Sequence, residues 1–67
     1  MGREKREKRF GRVAVVKGFV TPEQILEAMR TQILEEVEQG QHRRIGAILV
    51  DQSAMTKQQI NEVLGAM

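Results

Sequence analysis

Two short patterns in this chain carry side chains suited to holding an anion. Arg9-Phe10-Gly11 and Arg44-Ile45-Gly46 each place an arginine two residues before a glycine. A guanidinium offers a planar fork of donors that fits a phosphate or stacks on a base, and a glycine lets a ligand come close to the backbone. If each pattern opens a short helix, free N–H groups and the positive end of the helix dipole add to the attraction. The plainer alternative is that Gly11 and Gly46 serve close helix packing while Arg9 and Arg44 are surface residues, and for an isolated three-residue pattern it is the stronger. Other chemistry is scarce. The chain has one histidine (His42), one aspartate (Asp51), one serine (Ser53) and no cysteine. A Ser-His-Asp row would have to be assembled from a turn, a connection and a helix end with nothing to orient it. A lone histidine lacks the companions of a metal site. No enzyme, metal or cofactor is expected, and Glu35, Glu36 and Glu38 are expected to form a solvated acidic helix end.

The elements that must position the arginines are written twice. Residues 9–32 align without a gap to residues 44–67, thirty-five positions later, with seven of twenty-four positions identical. Apolar residues also face each other at Phe10/Ile45, Val13/Ile48, Val20/Met55, Ala28/Val63 and Met29/Leu64, so the hydrophobic pattern repeats with the identities. Thr21-Pro22-Glu23-Gln24 combines a capping hydroxyl, a proline at the first helical position and a glutamine that can reach back to the cap; Thr56-Lys57-Gln58-Gln59 repeats this without the proline. Ile25, Met29, Ile33 and Val37 then recur at helical spacing, predicting a helix from Pro22 to about Gln39 that Gly40 ends. Val-Ala-Val-Val before Gly18 has strand propensity, but its counterpart places Ile45, Ile48 and Leu49 at i, i+3, i+4, so both segments are assigned as short helices. The predicted architecture is all-α: four helices as two tandem helix-turn-helix units, 9–32 and 44–67, packed on one core and joined by a connection at 33–43.

Sixty-seven residues make one small domain, in which only about 60% of the unfolded surface is buried. Self-association or a partner is one way to complete it, and Ile33, Leu34 and Val37 extend past the repeat unit as an apolar stripe that a small core cannot fully cover. Six basic residues against two glutamates leave +4 on residues 1–12, the remainder carries −2, and the net charge is +2. Residues 1–8 are expected to be a mobile basic arm, helped by Arg3/Glu7 and Glu4/Lys8 pairs at i, i+4 spacing. No apolar run approaches the roughly 20 residues of a membrane span, and no apolar segment follows the charged N-terminus. The expectation is a cytoplasmic protein.

As a twenty-four-residue whole, the pattern resembles a known domain. Arg9, an apolar residue, Gly11, further apolar residues, Gly18 at the tenth place, a threonine cap and a terminal Gln32 are similar to the N-terminal domain of type II secretion and type IV pilus assembly ATPases. The resemblance covers residues 9–67. The second copy keeps Arg44, Gly46 and Leu49, and has Ser53 for the turn glycine and Met67 for the final glutamine; in the first copy Phe10 stands where leucine is usual and Ala14 where a larger aliphatic residue is usual. In the subset found on mannose-sensitive pilus ATPases such a domain binds cyclic di-GMP through two tandem motifs, and in other members it docks a partner protein. The resemblance implies that Arg9 and Arg44 contact guanine and phosphate, that Gly11 and Gly46 admit the ligand to the helix N-termini, and that Gln32 adds a polar contact. No Gly-Lys-Ser/Thr phosphate loop is present, so the chain is not the motor.

Three functions follow in order: a regulatory or interaction module, with cyclic di-GMP as its ligand; a docking or self-association module using Ile33, Leu34 and Val37; and helix-turn-helix DNA binding, disfavoured because Thr56 to Met67 offers few base-reading side chains.

Overall fold

Two threonine caps begin the longer predicted helices. In the computed structural model, which describes residues 2–67 and side chains from residue 6 onward, Thr21 and Thr56 adopt nearly the same extended backbone, φ −95, ψ 161 and φ −94, ψ 162. The Gln24 N–H donates to Thr21 Oγ1 at 3.2 Å and the Thr21 N–H donates back to Gln24 Oε1 at 2.9 Å; Thr56 and Gln59 repeat the exchange at 3.1 and 3.0 Å. Each exchange satisfies two donors that a helix start would otherwise leave without partners.

Four helices result: α1 Gly2–Val16, α2 Pro22–Gln39, α3 Ile45–Asp51 and α4 Lys57–Gly65, with no strand among the described residues. The strand propensity of Val13 to Val16 is overridden by packing, since Phe10 and Ala14 lie one turn apart on the buried face of α1. Gly40, at φ 66, ends α2, its N–H donating to Glu36 O and that of Gln41 to Glu35 O, each at 3.2 Å. The helical start of α1 differs from expectation. It begins at Gly2 and not near Arg9, so residues 2–8 continue the helix, while Met1 and the side chains of residues 2–5, and with them the expected Arg3/Glu7 and Glu4/Lys8 pairs, lie outside the described residues.

The short helices end alike. Gly18 (φ 78) donates from its N–H to Val15 O at 2.9 Å and Phe19 to Ala14 O at 3.0 Å; Ser53 (φ 58) and Ala54 do the same to Val50 O at 3.0 Å and Leu49 O at 2.9 Å. A side chain at positive φ costs roughly 1–2 kcal/mol, of which a glycine returns part as extra unfolded-state entropy. Ser53→Gly should therefore stabilise the chain by about 0.5 kcal/mol, and Gly18→Ala should destabilise it by about 1 kcal/mol; urea unfolding of both variants measures the pair.

The core centres on the seven residues of α3. Ile45, Ile48 and Leu49, with Val63 of α4, are the largest fully buried side chains. Phe10, Ala14 and Val20 close the core from the α1 side, Ile25 and Ala28 from α2, and Met55 from the turn before α4. The closest pairings run α2 with α3 and α1 with α4. Two glycines also allow close side-chain approach: a Cβ at Gly11 would stand 3.3 Å from Ile25 Cγ2, and one at Gly46 would stand 3.3 Å from Ile60 Cδ1.

Candidate functional site

Arg44 is the N-terminal flanking residue of α3, extended at φ −74, ψ 152, with an exposed side chain that makes no cap hydrogen bond. Arg44 and Gly46 line a cavity of about 560 Å³ among α1, α3 and α4. The approach to Gly46 is taken up by the protein itself, for Phe10 Cζ as well as Ile60 would lie within 3.6 Å of a Cβ there. The glycine thus makes room for side chains of α1 and α4.

The first copy is arranged differently. Because α1 starts at Gly2, Arg9 and Gly11 are interior helix residues whose N–H groups bond to carbonyls four residues back. The expected helix N-terminus is therefore absent at Arg9. Gly11 is buried under Ile25 and borders a second groove, about 380 Å³, between α1 and α2. Arg9 is exposed and lines neither hollow. The two arginine-glycine patterns do not converge on one site.

Gln32 also serves the fold. It is buried, and its side-chain amide donates to both oxygens of Glu7 at 2.9 and 3.0 Å and to Arg43 O at 2.9 Å. The Glu7 carboxylate in turn accepts the Ile45 N–H at 3.4 Å. The anion at the start of α3 is this carboxylate, brought from α1 across 38 positions. The sequence reading assigns Glu7 to a mobile arm, whereas the structure places it in α1 against Gln32 and the start of α3. The overlooked signal is its spacing, three residues before buried Phe10 and seven before buried Ala14, on the same face of a helix extended backwards.

Two of the three glutamates at the acidic end of α2, Glu35 and Glu36, are likewise engaged, while Glu38 is exposed as expected. The Arg43 guanidinium donates from Nε to Glu35 Oε1 at 2.9 Å and from a terminal nitrogen to Glu35 Oε2 at 2.6 Å, and its other arm bonds Asp51. His42 Nδ1 lies 2.7 Å from Glu36 Oε1, and Gln52 Nε2 donates to Thr31 Oγ1 at 3.1 Å. Connection, α2 and α3 are clasped by these bonds. His42, Asp51 and Ser53 form no hydrogen-bonded row, because Glu36 holds the first, Arg43 the second, and the third sits at the exposed left-handed turn. Among the described residues no group of three or more His, Cys, Asp or Glu is placed to hold a metal ion.

Hydrogen bonding from Arg43 holds the Glu35 carboxyl below its ordinary value of 4.5, partial burial opposing the shift, and Glu35 and Asp51 push the guanidinium upward. A carboxyl lowered in the folded state stabilises the fold above 4.5, and this contribution is lost as pH falls through the lowered value. The thermal unfolding midpoint should fall on the acid side of 4.5, with a shallower fall in Glu35→Gln.

Comparison with protein-family models, curated proteins and solved structures found no match.

The apolar residues expected to bind a partner lie on the surface. Ile33 is 58% and Val37 78% exposed, with Leu34 beside them. Leu26, 64% exposed and absent from the sequence-derived partner set, continues the row. Its signal was the i, i+7 spacing to Ile33. No described helix is long and apolar enough to cross a membrane.

Proposed function

We propose that this chain is a non-enzymatic interaction module, built as two tandem helix-turn-helix units, that docks an amphipathic partner helix along the outer face of α2. The observation that carries the proposal is the row Leu26, Ile33 and Val37, all exposed, at i, i+7 and i+11 on one face of an 18-residue helix. Singly exposed apolar residues are ordinary, but a contiguous row bordered by charge marks an interaction surface. Half-buried Met29 joins it to the groove containing Val15 and Val16, exposed Glu27 borders it, and exposed Arg30 stands within it between Leu26 and Ile33. The paired threonine caps, the left-handed turns at Gly18 and Ser53 and the Gly11/Ile25 and Gly46/Ile60 contacts support the duplicated design.

The simplest amphipathic helix available is α2 of a second copy. Sedimentation velocity over a wide concentration range should show reversible dimerisation that Ile33→Glu/Val37→Glu abolishes while the unfolding midpoint holds. A monomer at every concentration would remove the self-association version.

A second reading takes cyclic di-GMP as ligand, as the resemblance implies, and its support is that Arg44 and Gly46 share one cavity. Of the proposed contacts, Arg9 and Gly11 lie elsewhere and Gln32 is already bonded. Calorimetric titration tests it, and absence of heat with folded protein would end it. DNA binding stands last, because the Gln59 side chain is held in its capping box, leaving Lys57, Gln58 and Asn61 for base contacts on α4. A duplex mobility shift tests that version.

A further inference from the structure

We infer that the cavity among α1, α3 and α4 takes an amphipathic anion: an aliphatic or aromatic body with a single carboxylate or phosphate head. Its volume, about 560 Å³, falls within the range of small-molecule sites. The lining is mainly apolar, with Phe10 and Ile45 from the core edge and Ile60 and Leu64 along α4. Leu64 is 51% exposed, so a ligand body would cover apolar surface now in water.

Charge at the rim sets the sign of the head group. Arg6, Arg44 and Lys57 border the cavity from three different helices or their flanks. None of the three has an ion pair or side-chain hydrogen bond among the described residues. Two carboxylates also border it, Glu7 and Asp51, and both are already partnered: Glu7 by Gln32 and the Ile45 N–H, Asp51 by Arg43. An anion therefore meets three cations without displacing an existing bond, whereas a cation meets only carboxylates already engaged. A bare inorganic anion would leave the apolar floor uncovered, so the lining favours a greasy body with one head. The site shares no residue with the α2 row and does not depend on it.

The test is a chemical-shift titration of the intact chain with decanoate, decyl phosphate, decyltrimethylammonium and inorganic phosphate, each kept below its micelle-forming concentration. Decanoate and decyl phosphate should move the amides of Gly46, Ala47, Lys57 and Asn61, and their relative affinities separate a carboxylate from a phosphate preference. Decyltrimethylammonium and inorganic phosphate should leave those amides in place. Arg44→Ala/Lys57→Ala should bind decanoate about tenfold more weakly, the loss expected from two exposed charge pairs. Leu64→Asp, at a half-exposed position, should remove binding with an unchanged fold. Equal binding of the cationic and anionic chains, or no shift of these amides with either anionic chain, would overturn the inference.

Discussion

Leu49→Ala should lower the unfolding free energy by about 3 kcal/mol, the largest effect expected of any single truncation in this chain. Leu49 has no exposed surface and sits among Ile45, Ile48 and Val63. A chain of 67 residues has a total stability of roughly 3–10 kcal/mol, so the variant should be unfolded in a substantial fraction of molecules near its upper working temperature. Urea unfolding followed by far-ultraviolet circular dichroism measures the change. Val37→Ala is the matched control. At 78% exposure it should alter stability by less than about 0.5 kcal/mol, and a comparable loss in both variants would show that α3 is not the centre of the core.

Gln32→Leu should cost about 2 kcal/mol despite adding apolar surface at a position 9% exposed. The glutamine amide is the shared donor to Glu7 and to the Arg43 carbonyl, and leucine has none to offer. One carboxylate and one carbonyl at a partly buried junction would lose a partner. Glu7→Gln, which keeps an acceptor oxygen for the amide, should cost less. Urea unfolding of the two variants separates the possibilities: if Gln32→Leu is neutral or stabilising, the glutamine is not required for packing α1 onto α3, and a ligand role for it regains ground.

The capped starts of α2 and α4 and the glycine end of α2 were legible because each depends on residues within a few positions. Thr21 needs only Gln24, Thr56 only Gln59, and Gly40 only its own freedom at positive φ. The exposure of Ile33, Leu34 and Val37 was legible for a similar reason: the apolar stripe on α2 is wider than the contact a short helix such as α3 can supply. The start of α1 was not. Residues 1–8 have no apolar side chain after Met1, and the group that commits this segment to the fold is a carboxylate whose partners lie 25 and 38 positions away.

The same division separates the two halves of the duplicated unit. From sequence alone came the helical periodicity, the caps, the helix ends and the repeated apolar pattern of the two copies, all of which follow from local backbone chemistry and spacing. Only the tertiary structure decided where the arginine-glycine patterns and Gln32 sit and what they touch. Gly11 and Gly46 face isoleucines, Gln32 joins α1 to the connection, and Arg44 borders the cavity among α1, α3 and α4 while Arg9 lies outside it. Spacing along the chain specifies which face of a helix a residue occupies, but the partner that meets that face depends on how the helices cross, and that is set by the whole core at once.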